Sequence, residues 1–215
     1  MRIGILGTGA MATSLGGAWA RAGHDVLVGG RDPAAAARAA ARAGAAKDGT
    51  LADAAAHGDL VLAAVPADVA PGVAGEFAAV LTGRTVVDCT NPLAPGPGGP
   101  ALTTGGTTSV ARLMADAAPG AHVVKAFNLC HESIWTLPRP VFGGAPLAVP
   151  FCGDDRGSLD RTAALIASMG CTPMPCGGLS RAVHLEATAA FAIGVWWSGA
   201  EPRFAFPASE RAPRS

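Results

Sequence analysis

The chain has no excess charge of either sign: 16 basic and 16 acidic side chains cancel. That balance removes any electrostatic reason to expect nucleic acid or a membrane surface as a partner. No apolar run approaches the roughly 18–20 residues that a membrane-spanning helix requires. There is no CxxC pair either. Cys89, Cys130, Cys152, Cys171 and Cys176 have no metal-ligand spacing and no regular framework. An odd count of this kind fits reduced cytosolic thiols packed as small apolar groups, and no metal site is expected. Ahead of the first strand stands neither an apolar stretch nor a small-residue cleavage site, because Met1-Arg2-Ile3-Gly4-Ile5-Leu6 runs straight into a glycine loop. A cytoplasmic location is the expectation.

What is present is apolar surface. Half of the 215 residues are hydrophobic, which suits one dinucleotide-binding domain with a short extension rather than two full domains. The abundance of Ala, Gly and Pro reads as a composition bias. Residues 3–6 are β-compatible, and small residues then recur at helical spacing from Ala10 to Ala22, with Gly23 as a C-cap. Val26 to Val28 form a second short strand, and the Ala/Arg stretch 34–43 a second helix. Thr50-Leu51-Ala52-Asp53 resembles a capping box. Leu60 to Val65 is a continuous apolar run closed by Pro66, the pattern of a strand covered on both faces. A helix is expected around 68–81, a strand at 85–89, a helix around 107–117 and a strand at 122–127. Strand 148–152, helix 156–168, strand 171–175 and a helix from 179 to 197 follow. Repeated βα units predict an α/β protein, a Rossmann-type doubly wound parallel sheet with a small C-terminal α/β extension. The expected boundaries are 1–147, 148–210 and a mobile tail at 211–215. Residues 91–106 form one long Gly/Pro-rich loop after a strand end, where such folds hold ligands.

Gly7-Thr8-Gly9-Ala10-Met11-Ala12 follows a strand and opens a helix, matching G-x-G-x-x-G/A. The first glycine permits the tight turn, the second lets a pyrophosphate approach the backbone, and Ala12 keeps helix and strand close. The helix N-terminus offers free N–H groups and a positive dipole end to phosphates. At the end of the second strand an NAD site usually carries Asp or Glu; here stand Gly30 and Arg31. A guanidinium can bond a 2′-phosphate in bidentate fashion, so NADP(H) is favoured. The plain alternative for Arg31 is a solvated surface residue, and Asp32 could cap the next helix. Val65-Pro66 ends the third strand, where the sheet commonly closes over a cofactor. Asn91 could turn its amide toward the nicotinamide ribose, although Asn-Pro is also an ordinary turn opener.

The segments RIGILGTGAMA, VGGRDP, AFN, FCGDD and GGLSRAVHLE together resemble the NADPH-dependent reductases of coenzyme F420, across nearly the whole chain. That resemblance implies a small α/β protein, commonly a homodimer, passing a hydride between NADP(H) and a 5-deazaflavin, coenzyme F420. It implies that Thr8, Gly9, Ala10 and Met11 line the pyrophosphate and that Gly30-Arg31 face the 2′-phosphate, where the family often has Ser-Arg. Asn128, Leu129 and Cys130 then lie beside the nicotinamide and the hydride acceptor. Two segments depart from the family pattern, both on the acceptor side. Val183 stands where the family has Arg, with His184 beside it, and Cys130 to Trp135 is more polar and bulkier.

Deazaflavin reduction needs little acid–base help from the protein, whereas a carbonyl or imine would need a proton donor. His131 and His184 are the catalytic candidates for that second function, with Glu186 and Lys125 behind them; a lone histidine is otherwise a hydrogen-bonded structural residue. A non-catalytic NADP(H)-binding sensor is a third reading. Trp196-Trp197 and the Phe204/Phe206 pair read as core or dimer contacts rather than a stacking platform.

Overall fold

A computed structural model describes residues 1–45 and 47–200. Strand β1 (Arg2–Leu6) leads through the glycine loop to α1 (Ala10–Arg21), then β2 (Asp25–Gly29), α2 (Pro33–Ala43), β3 (Lys47–Gly49), α3 (Leu51–His57) and β4 (Leu60–Ala63). Two short helices, α4 (Ala70–Glu76) and α5 (Ala78–Leu81), precede β5 (Thr85–Asp88). A hairpin of β6 (Leu93–Gly96) and β7 (Gly99–Leu102) comes next, then α6 (Val110–Ala117) and β8 (His122–Ala126). A 3-10 turn (Glu132–Thr136) and the two-residue strands β9 (Val141–Phe142) and β10 (Ala145–Pro146) lead to β11 (Ala148–Gly153). The described chain closes with α7 (Arg156–Ser168), β12 (Thr172–Pro175), a second 3-10 turn (Leu179–Arg181) and α8 (Ala182–Trp197).

The local rules hold where the sequence signals are strong. Asp32 caps α2 by accepting from Ala34 N at 2.9 Å, with Pro33 in the first turn and Gly44 in the left-handed C-cap. Thr50 and Asp53 form the capping box of α3. The expected helix at 68–81 is split in two, as Gly72 and Gly75 weaken its interior and Phe77 leaves helical geometry.

The main sheet has eight strands in the order β12-β11-β8-β5-β4-β1-β2-β3. From β3 to β8 the neighbours are parallel, the doubly wound arrangement. β11 is antiparallel to β8, and β12 pairs parallel with β11, so the sheet is mixed. The chain between β8 and β11 contains no crossover helix, only a 3-10 turn and a small ladder; it re-enters the sheet from the edge it left. Residues from 148 on therefore extend the same sheet. Phe204, Phe206 and the tail at 211–215 lie outside the described residues.

Both faces of the sheet are covered, which explains the unbroken apolar strands. Ile3, Ile5, Leu60 and Leu62 pack with Leu15, Trp19, Leu165 and Ile166 on one side. Leu6, Val61 and Ala63 pack with Ala54, Val73, Met114 and Leu185 on the other. Each fully buried Ile or Leu contributes about 1.5–3 kcal/mol relative to exposure. Gly4 is fixed by this packing, because a Cβ there would lie 1.8 Å from the Ala54 carbonyl oxygen. Part of the expected loop at 91–106 is the β6–β7 hairpin. Its sequence LAPGPGGPAL is a near-palindrome, and pairing sets Leu93 against Leu102, Ala94 against Ala101 and Pro95 against Pro100. Proline supplies no ladder donor, so such a ribbon stands apart from the main sheet.

Candidate functional site

A cleft of about 580 Å³ opens at the C-terminal ends of β1, β4, β5 and β8. Strand ends of an open α/β sheet are where ligands bind, because the loops leaving them are free to diverge. Gly9, Ala10 and Met11 line the cleft after β1, Ala64 to Ala67 after β4, Cys89 to Asn91 after β5, and Phe127 to Glu132 after β8. Ala189, Ala192, Ile193, Trp196 and Trp197 of α8 form the opposite wall.

The two glycines of the first loop do different work. Gly7 has φ +126°, and a Cβ on it would lie 2.2 Å from the Ala64 carbonyl oxygen, so backbone geometry alone demands glycine. Gly9 has φ −78°, open to any residue, and a Cβ there would meet nothing within 4 Å. Nothing in the fold requires Gly9; the open space above it is what a Cβ would fill. It is the N-cap of α1 and has no capping side chain, so the first N–H groups of that helix are left to a ligand. This is the geometry a pyrophosphate needs.

Gly30 is set by a third close approach: a Cβ would lie 2.7 Å from Thr8 Cγ2. The Thr8 side chain thus takes the space that a serine at position 30 would use. Arg31 is exposed, with no hydrogen bond or ion pair among the described residues, whereas neighbouring Asp32 is spent on capping α2 and faces Arg38 at 3.9 Å. A free guanidinium at the end of β2 fits a phosphate on the adenosine ribose.

At the other end, side chains build the site. Phe127 has φ +64°, a strained geometry for a bulky residue that costs about 1–3 kcal/mol. It is clamped edge-on between Trp19 (centroids 5.7 Å apart) and Trp135 (5.4 Å), and the turn sends Asn128 into the cleft wall. Asn128 Nδ2 donates to Asn91 Oδ1 at 2.9 Å and to the Leu185 carbonyl at 3.1 Å, while Asn91 Nδ2 donates back to the Asn128 carbonyl at 2.7 Å. Asn128 Oδ1 and Thr90 Oγ1 are buried without a partner among the described residues, and both residues line the cleft. Each is a polar atom that a ligand amide or hydroxyl would satisfy, since an unpaired buried group costs about 1–3 kcal/mol.

Beneath them Lys125, Asp88 and Glu186 are completely buried. Lys125 Nζ donates to Asp88 Oδ2 at 2.8 Å, Glu186 Oε1 at 2.8 Å and the Thr90 carbonyl at 2.6 Å. Burial works against its charge, but the two carboxylates outweigh burial and hold its pKa above the usual lysine value. Burial pushes the Glu186 pKa up, opposed by Lys125, and its Oε2 has no partner among the described residues. Both groups are therefore placed as a structural cluster, out of the cleft, and not as proton donors. His131 lines the cleft at its rim, exposed, 3.2 Å from Glu132 and hydrogen-bonded to Ser133. His184 is exposed and outside the lining. The cleft thiols are pushed up by burial, Cys89 to about 12 and Cys130 to about 11, and are neutral.

The structure thus gathers Gly9, Ala10, Met11, Val65, Pro66, Asn91, Asn128, Leu129, Cys130 and His131 around one cleft, with Gly7 beneath the loop, Thr8 on the adjoining groove and Gly30-Arg31 at the next strand end. Trp196 and Trp197, read from sequence as core or dimer contacts, wall the cleft mouth. Thr90, Phe127 and Asp88 are site residues that the sequence reading does not single out, and it names Lys125 and Glu186 only as separate candidates, not as a cluster. The only sequence signals were a charged residue inside an apolar strand run and the shared strand-end position of Thr90 and Asn91.

Residues 2–92 match the family described as NADP oxidoreductase, coenzyme F420-dependent. The matched segment is less than half of the chain. A glycerol-3-phosphate dehydrogenase (NAD(P)+) of Azorhizobium caulinodans is 34% identical over 181 residues, covering 78% of this chain. The chain spans about half, 50%, of that curated relative. Among solved structures, a candidate F420-dependent NADP reductase from Arthrobacter sp. FB24 superposes with a TM-score of 0.83 at 28% identity, covering 93% of this chain and 96% of that one. A hypothetical protein from Sinorhizobium meliloti gives 0.73 at 26% identity, over 85% and 88%. These matches place the chain among NAD(P)-dependent oxidoreductases. The FCGDD and GGLS segments of the sequence meet in space: Asp154 Oδ1 accepts from Leu179 N at 2.7 Å, tying the 3-10 turn before α8 to the end of β11, while Asp155 caps α7.

Proposed function

We propose that the protein is an oxidoreductase passing a hydride between NADP(H) and a 5-deazaflavin of the coenzyme F420 type. The observation that carries the acceptor assignment is the chemistry of the cleft wall. Among the described lining residues, the titratable groups are two neutral thiols and the solvent-exposed rim pair His131 and Glu132. Among the described residues no acid is buried in the cleft lining where it could protonate a reacting carbonyl or imine. A ring acceptor that takes hydride at carbon needs none.

In this reading the α1 N-terminus and the open space above Gly9 hold the pyrophosphate, and Arg31 holds the 2′-phosphate. Asn128 Oδ1 and Thr90 Oγ1 orient the carboxamide end. NADPH, when bound, supplies the hydride. The protein aligns two flat rings and excludes water, with Leu129 and Cys130 leaving room on one side and the apolar α8 residues closing the other. Trp196 and Trp197, 43% and 70% exposed, give α8 an apolar end that a second copy would cover, in keeping with a homodimer. No helix among the described residues is long and apolar enough to cross a membrane.

Absorbance at 340 nm, with NADPH and deazaflavin and then with a carbonyl and imine panel, tests the assignment. Oxidation of NADPH by the deazaflavin is expected. Turnover only on carbonyls or imines, or tight NADPH binding with no turnover on any acceptor, would replace it with a carbonyl reductase or a sensor.

A further inference from the structure

Two carboxylates and one ammonium share a fully buried cluster one residue behind the cleft wall. Asp88 is satisfied twice, by Lys125 Nζ and by Thr90 N at 2.8 Å. Glu186 is not: Oε1 accepts from Lys125 and from Val110 N at 2.9 Å, while Oε2 has no partner. The cluster touches the cleft directly, because the same ammonium holds the Thr90 carbonyl and Thr90 lines the wall. One residue before Glu186, the Leu185 carbonyl holds the Asn128 amide.

We propose that the Asp88–Lys125–Glu186 cluster sets which oxidation state of the nicotinamide the cleft prefers. With both carboxylates ionised, two negative charges against one positive leave a net −1 behind the wall, favouring the cationic oxidised ring over the neutral reduced ring. This rests on the cleft being a nicotinamide site. Glu186 is the member whose charge can change. Its missing partner makes it the least stabilised anion of the cluster, and burial raises its pKa. The groups facing it are Lys125 from β8 and Asp88 from β5, with the Val110 amide from α6. Cys152 on β11 lies opposite Lys125, but its thiol is pushed up to about 12 by burial and stays neutral. On α8 itself His184 is exposed to solvent, as is Arg181 in the 3-10 turn that precedes it. Loss of the Glu186 proton creates the negative charge, so the oxidised nucleotide binds more tightly as pH rises, and by linkage its binding expels that proton. The reduced nucleotide lacks the ring charge and responds little.

The test is the ratio of dissociation constants, oxidised over reduced NADP, measured by titration on the full chain between about pH 5 and pH 9, the range buried glutamates can reach. Using a ratio cancels titration of the 2′-phosphate, which both forms carry. In the wild type the ratio should fall roughly tenfold as pH rises, the scale of one charge acting across a partly polar interior. Glu186→Gln should hold the ratio near its low-pH value at every pH. Circular dichroism reports whether that variant folds, and the wild-type profile stands without it. A ratio constant with pH in the wild type, or an unchanged profile in a folded Glu186→Gln, would overturn the proposal. If neither form binds, the nicotinamide reading itself fails, and this inference falls with it.

Discussion

At the phosphate end of the cleft the chain works with backbone drawn from Gly7 to Arg31; at the acceptor end it works with side chains drawn from residues 88 to 197. The first end is local. A tight turn at Gly7, an open position at Gly9, and the amides of α1 come from one strand–loop–helix unit. The second is assembled from β5, β8, the turn at Phe127 and α8, and a buried ion cluster holds it together. A backbone cradle for phosphate tolerates much sequence change, whereas a side-chain network can be re-specified residue by residue. Variation in the acceptor therefore falls naturally on the second end.

The sharpest way to separate the two ends is at the glycines. Gly9→Val should abolish dinucleotide binding while circular dichroism and melting stay near wild type, because the new side chain meets only ligand space. Gly7→Val should instead lower stability by at least about 1–3 kcal/mol, since it forces a β-branched residue to positive φ against a carbonyl oxygen. Equal effects of the two on melting would erase the distinction between a structural and a ligand-facing glycine.

Cys130→Trp acts at the other end. It should block deazaflavin turnover by filling the space beside the ring, with NADPH affinity almost unchanged as read by titration. A parallel loss of NADPH affinity would mean that the ends are not independent. Smaller effects are expected from the histidines. His131→Ala and His184→Ala should each leave deazaflavin turnover within about tenfold, as neither is buried and no protein acid is required at the carbon receiving hydride. A loss of about 10²–10⁴-fold at His131 would point to general acid catalysis instead.

The same contrast decides what could be read from sequence. The glycine loop, the capping Asp32, the capping box at Thr50 and the parallel strands carry local signals, and they appear where those signals put them. The Lys125 cluster was not legible in this way, since Asp88, Lys125 and Glu186 are brought together only by the sheet order and the path of α8. Lys125 and Glu186 drew notice as isolated titratable residues and entered as proton-donor candidates. Burial and mutual pairing turned them into a support for the cleft wall. The hairpin at 93–102 was hidden by its proline and glycine content, although its near-palindromic sequence was a visible cue. The antiparallel entry of β11 depends on a connection without a crossover helix, which periodicity does not report.

The most direct single measurement is the binding of NADPH and NADH to the wild type and to Arg31→Ala. The wild type should bind NADPH more tightly, and the variant should lose about 1.5–3 kcal/mol for NADPH with little change for NADH, the scale of a charge-assisted contact. Equal loss for both nucleotides would make Arg31 a structural residue. Tighter binding of NADH by the wild type would contradict the NADP(H) site outright.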